Sequence, residues 1–116
     1  MGGTQDNGTI LLNYRGNTPK TAEFPRGGDG GQCEFSVINP AVSFATVYYG
    51  DHARSSNDGA SYAKFDDPRL AALIASEGAS FITPICLWEK KTQTLPQVMD
   101  TSYVIGLAKG VWMTKE

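Results

Sequence analysis

"DDPRLAALIASEG", residues 66–78, is the stretch on which the fold class turns. Asp67 is placed to accept from the free N–H groups of a first helical turn, and Pro68 suits the first helical position, where no N–H is needed. Gly78 supplies a left-handed stop. Between these signals Leu70, Leu73, Ile74 and Glu77 fall at i, i+3, i+4 and i+7, flanked by Ala71 and Ala75, while Arg69 and Ser76 are polar. The pattern predicts a helix of about three turns laid on a sheet by one apolar stripe.

Outward from this helix the remaining apolar runs have a strand period. "TILLNY" (9–14) is a short apolar run ending in an aromatic and reads as a first strand. "CEFSVIN" (33–39) and "SFATVYY" (43–49) both alternate, and Asn39-Pro40 between them is a turn signal, so the two form an antiparallel hairpin. "SFITPICLWE" (80–89) is strand-like, but Pro84 cannot donate to a ladder, which predicts an edge strand or a bulge there. "KKTQTLPQ" (90–97) is a connection. "SYVIGLAKGVWMTK" (102–115) alternates through Tyr103, Ile105 and Leu107, then Val111 and Met113; Gly106 and Gly110 mark a bulge or a sharp bend between two strands. One helix is too few for repeated βαβ units. The expected fold is therefore α+β, a mainly antiparallel sheet with one helix (66–78) packed on it. A β-sandwich or barrel carrying one helix is the alternative.

The chain of 116 residues matches one domain, since domains run about 100 to 150 residues. Residues 15–32, "RGNTPKTAEFPRGGDGGQ", read as a loop of unusual length for a compact domain. Residues 1–32 are thus an N-terminal strand plus a Gly/Pro-rich arm, expected to contact another chain.

Ten Lys and Arg stand against twelve Asp and Glu, a net charge of −2, and only Lys90 and Lys91 are adjacent. Nucleic-acid binding draws most of its affinity from a basic patch, so this scatter argues against such a partner. No run approaches the roughly 20 apolar residues of a membrane helix. "MGGTQDNGT" lacks the basic start and apolar core of a signal peptide, and Asp6 stands where a myristoylation motif wants Ser or Thr. Asn7-Gly8-Thr9 is then a glycosylation sequon in form only. The expected compartment is cytoplasm or a virion rather than the secretory pathway.

Cys33 and Cys86 lie in apolar strand-like runs and are expected as small buried hydrophobes. With one histidine in the chain they fall short of a four-ligand zinc set, and neither metal nor cofactor is expected.

The chemistry-bearing segment is "TVYYGDHARSSNDGASY" (46–62), which holds that histidine. Asp51, His52, Arg54, Ser55, Ser56 and Asp58 offer a base, an orienting carboxylate, a cation and hydroxyls. Adjacency in sequence is not convergence in space, however, and a nucleophile, base and orienter usually come from separate segments. Glu23, Asp29, Glu34, Asp66, Asp67 and Glu89 belong to no catalytic motif. "PRGGDGGQ" (25–32) resembles a phosphate cradle, but a strand follows it where a phosphate loop opens a helix. The reading is a polar recognition loop, with Tyr49, Asp51, His52 and Arg54 as binding residues and no catalytic residue. Among the aromatics, adjacent Tyr48 and Tyr49 should point to opposite sides of a strand; with Trp88 and Trp112 they are candidate interface residues. The expected function is a non-enzymatic structural or interaction protein acting through its surfaces, as a homo-oligomer or a small component of a larger assembly such as a virion or phage particle. The alternative is a small-ligand-binding protein or hydrolase using Asp51, His52 and Arg54, with Asp51 and His52 as its catalytic pair.

Overall fold

The computed structural model describes residues 1–13, 21–65, 67–91 and 99–115. Tyr14, the first part of the 15–32 loop, Asp66 and residues 92–97 of the "KKTQTLPQ" connection lie outside them.

In chain order the elements are β1 (Gly2–Thr4), β2 (Gly8–Asn13), β3 (Thr21–Arg26), β4 (Cys33–Phe35), β5 (Ser43–Thr46), β6 (His52–Ser55), β7 (Ala63–Lys64), α1 (Pro68–Glu77), β8 (Ile85–Lys91), β9 (Met99–Gly106) and β10 (Val111–Lys115). They build three antiparallel sheets, ordered β1-β2-β3, β4-β5-β6-β7 and β10-β9-β8. Among the described residues α1 is the one helix, and the strands close no barrel. The fold is α+β with mainly antiparallel sheets, as the patterning predicts.

The helix forms where its local signals place it. Asp67 accepts from the backbone N–H groups of Arg69 at 2.8 Å and Leu70 at 3.3 Å, Pro68 opens the first turn, and the Gly78 N–H closes the last on Ile74 O at 2.9 Å. Leu70 is the fully buried member of the stripe, and Leu73 and Ile74 are half-buried against the core. That core joins Val42, Phe44, Leu70, Ile85, Tyr103, Ile105 and Trp112, with the Phe44 and Tyr103 rings stacked at 4.4 Å. It lies between one face of β4–β7, the helix and the inner face of β8–β10.

The other face of β4–β7 carries small residues, among them Ser43, Ala45, Ala53 and Ser55, all at most 1% exposed. The N-terminal strands lie on it: Met1 Sδ accepts from the Tyr62 hydroxyl, which also bonds Ser43, and a Cβ at Gly59 would meet Leu11 Cδ2 at 2.5 Å. Residues 21–26, expected as loop, are instead strand β3, paired with β2 from Thr9↔Arg26 to Asn13↔Thr21. β2 therefore finds both its partners, β1 and β3, in its own chain. The loop reading of 21–26 fails because "TAEFPR" has almost no apolar period to announce a strand; pairing with β2 supplies its order. The glycines that follow serve close approach: Gly30 N–H donates to Thr4 O and Gly31 N–H to Thr46 O, and a Cβ on either would meet an oxygen within 2.5 Å.

The expected hairpin is β4 with β5, shorter than its two runs suggest. Pro84 stands immediately before β8 rather than inside it, and its carbonyl accepts from Gly106 N–H. Gly106 and Gly110 flank the bend between β9 and β10. Two side chains tie β8 to the neighbouring sheet. The Gln32 amide spans Ile85 as a strand residue would, donating to its carbonyl and accepting from its N–H. Glu89 accepts from the Ser36 hydroxyl and from the N–H groups of Val37 and Ile38. The radius of gyration, 15.0 Å, exceeds the about 13 Å of a compact chain near this length, and the extents of 48 × 45 × 17 Å describe a plate. A plate exposes more of its sheets than a sphere does.

Candidate functional site

Residues 46–55 of this segment are a hairpin rather than a solvated loop, and 56–61 are an exposed turn around buried Gly59. Val47 closes the β5–β6 hairpin by donating to Asp51 O at 2.8 Å, and Asp51 N–H reaches Tyr48 O at 3.3 Å. The two central residues, Tyr49 (φ 54°) and Gly50 (φ 77°), both have positive φ, as the tightest hairpin turns require. For a residue as bulky as tyrosine this conformation is a genuine outlier. Gly50 is close-packed beneath the helix, where a Cβ would meet Ile74 Cδ1 at 2.9 Å. After the turn β6 begins at once, so His52 faces Thr46 across the ladder and is 2% exposed. The expected strand ending at Tyr49 therefore ends three residues earlier, at Thr46, and Tyr48 and Tyr49 are both exposed, 43% and 60%. Their rings cluster with Phe81, at 6.0 and 5.5 Å.

A cavity of about 250 Å³ opens between this hairpin and the helix. Tyr49, Asp51 and His52 line one side, Leu70, Ala71, Ile74 and Ala75 the other, with Phe65 and Lys64 between them. Three of the four binding residues named from sequence thus share one cavity. The fourth, Arg54, is half-buried opposite Phe44 and takes no part in the lining.

Asp51 pairs with Arg26 of β3 at 2.7 Å. His52 Nδ1 lies 3.5 Å from the Tyr103 hydroxyl, a contact at the limit of a hydrogen bond, and among the described residues Nε2 has no partner. Burial pushes the His52 pKa down to about 4; Asp51 opposes that shift and Arg26 adds to it. The imidazole is therefore neutral near pH 7. Burial also raises the Tyr103 phenol well above its ordinary value. A neutral histidine beside a phenol can hold a polar group, but none of the described hydrogen bonds joins His52 to a serine, threonine or cysteine nucleophile. Thr46, directly across the ladder, gives its hydroxyl proton to Gln32 O.

Among the described residues Asp67 is the one further carboxylate lining the cavity with Asp51 and His52, and none of the described hydrogen bonds joins a carboxylate to the imidazole. Asp67 caps the helix and is held below the usual carboxylate range by its bond from Arg69; Asp29 accepts from Asp6 N–H; Glu34 bonds the Gln32 amide; Glu89 fastens β8 to the segment after β4. Glu23 lies exposed on β3. Cys33 is half-buried, and burial raises its thiol pKa. Cys86, expected buried, is exposed: in β8 it points away from the core while Ile85 and Leu87 point in. Both thiols are free. Among the described residues no cluster of three or more His, Cys, Asp or Glu is placed to hold a metal, and no helix is long and apolar enough to cross a membrane.

Of the outer face of β8–β10 sequence patterning named only Trp88 as an interface candidate, and Trp112, named with it, is buried in the core. Ile85, Tyr103, Ile105 and Trp112 point into the core, and the alternate residues Cys86, Trp88, Val104, Val111 and Met113 point away from it. Trp88 is 48% exposed, Val111 70% and Met113 58%. The register puts Met113 beside Val104 and Val104 beside Cys86, so these residues form a row across all three strands. The signal was there: in "PICLW", "YVI" and "VWM" both alternating sets are apolar. No protein-family model matches the chain, and neither a curated protein nor a solved structure does.

Proposed function

We propose that the chain is a non-enzymatic structural or interaction protein that associates through the outer face of β8–β10, with a second copy of itself or as a small component of a larger assembly such as a virion. The observation that carries this reading is the apolar patch of Cys86, Trp88, Val104, Val111 and Met113, set around Ser102, on a sheet whose opposite face already fills the core. A surface antiparallel sheet normally turns polar residues to water, and contiguous exposed apolar surface marks an interaction site. β10 is also an edge, hydrogen-bonded on one side to β9. An unpaired edge is a template for another strand. Two copies stacking these faces on each other about a two-fold axis would bury both apolar sets, Cys86 among them.

Cys86 gives the test a direct readout. Sedimentation over a wide concentration range should show association, and the reactivity of Cys86 toward a soluble thiol reagent should fall as the oligomer forms. Trp88→Glu with Met113→Lys should yield a monomer with an unchanged circular dichroism spectrum. A wild-type chain that stays monomeric at high concentration, with Cys86 equally reactive throughout, rules out self-association.

A further inference from the structure

The cavity under α1 has a polar end that the fold leaves unanswered. Of the buried side-chain polar atoms without a hydrogen-bond partner, Arg26 Nε, Asp51 Oδ1 and His52 Nε2 all belong to this corner. Buried polar atoms are nearly always paired, and leaving one unpaired costs about 1 to 3 kcal/mol. Tyr49 adds backbone strain at the same place, since its left-handed φ of 54° holds an aromatic ring at the cavity wall. Strain of this kind tends to gather at ligand clamps.

We propose that this cavity is a binding site for a small neutral molecule with an apolar ring and a hydroxyl group, the ring lying against Leu70, Ile74 and Phe65 and the hydroxyl meeting the polar end formed by Asp51 and His52. Volume sets the size. A cavity of about 150 Å³ lined by Leu, Ile and Phe accepts benzene, so about 250 Å³ takes a ring with a short substituent. The polar end sets the functional group. A hydroxyl both donates and accepts, so it satisfies Nε2 whichever ring nitrogen of His52 carries the proton, and when Nε2 carries it the hydroxyl is free to donate to the carboxylate oxygen of Asp51. Charge favours neutrality: Asp51 already has Arg26 at 2.7 Å and Asp67 has Arg69 at 3.1 Å, so a cationic ligand finds no unmatched carboxylate at the rim, and the Asp51 carboxylate at the polar end repels an anion there, even with Lys64 elsewhere in the lining. The site is separate from the outer face of β8–β10, and the two readings stand or fall independently.

Phenol, toluene and benzoate are the probes, read by the methyl resonances of Leu70, Ala71, Ile74 and Ala75 and by the ring nitrogens of His52. Phenol should shift these methyls and Nε2 and bind about two- to tenfold more tightly than toluene, the worth of one hydrogen bond. In a purely apolar slot the order would reverse, because toluene is the more hydrophobic. Ala75→Leu fills the cavity from an exposed helix position, so it should abolish the phenol shifts while the circular dichroism stays unchanged. No methyl shift with saturating phenol overturns the proposal. So does toluene binding as tightly as phenol, benzoate binding more tightly than either, or phenol shifts that persist in Ala75→Leu.

Discussion

The sheet of β4 to β7 is covered on both faces and buries Ser43, Thr46, His52 and Ser55, whereas the sheet of β8 to β10 is covered on one face and exposes Trp88, Val111 and Met113 on the other. Residue polarity and burial part company in both, in opposite directions. In the middle sheet small hydroxyls tolerate double burial because each has a near partner: Ser43 the Tyr62 hydroxyl, Thr46 the Gln32 carbonyl, Ser55 the Asn57 amide oxygen and the Gly59 N–H. His52 is larger, and among the described residues its Nε2 has none. In the outer sheet the second face leaves Trp88, Val111 and Met113 in water, although Ser102 beside Trp88 on that face is 3% exposed. Burial is decided by what lies over a strand, and polarity follows only where one face meets water.

The sharpest way to break this comparison is to remove the contact that joins the two sheets. Phe44→Ala should cost about 3 to 5 kcal/mol in denaturant unfolding, because its ring stacks on Tyr103 and is 1% exposed. A loss under 1 kcal/mol would mean the sheets do not share a core. Leu70→Ala should cost about 2 to 5 kcal/mol as the helix's one fully buried residue, while exposed Ser76→Ala stays within about 0.5 kcal/mol. Equal effects at both positions would detach the helix from the middle sheet.

The buried histidine sharpens the polar half of the comparison. Its native pKa is pushed down to about 4 from 6.5. As pH falls through this window the unfolded chain takes up the proton first. The stability is therefore full above about pH 6.5 and declines toward about pH 4, by on the order of 3 kcal/mol from this group. The difference in unfolding free energy between the wild type and His52→Gln, followed over that range, isolates the histidine from the carboxylates titrating nearby. A difference that does not change with pH would place His52 in water. The smallest stability effect belongs to the outer face: Trp88→Glu with Met113→Lys should change the unfolding free energy of the monomer by no more than about 0.5 kcal/mol per site, since both side chains are about half exposed or more. A large destabilisation there would show that this face is covered within the chain.

Where signals are local, sequence and structure agree. The helix starts at Pro68 and stops before Gly78 because capping and left-handed glycine act on neighbouring backbone groups, and the antiparallel character of the sheets follows from short alternating runs with turn residues between them. Tyr49, Asp51 and His52 stand out as candidates from residue type alone, and the hairpin turn carries them to one cavity with α1. What that turn does was hidden, because no local preference announces a tyrosine at positive φ followed by four polar-leaning residues as a strand. "TAEFPR" and "HARS" become strands only through the partners they pair with, β2 for one and β5 for the other. Cys86 and Trp88 face outward for a related reason. In β8 both alternating sets are apolar, so the pattern is symmetric, and the packing of Ile85 and Leu87 against the core settles which set is left in water. The residues by themselves determine the elements whose forces reach a few positions along the chain; the contacts between sheets, which act across the fold, determine which faces those elements bury.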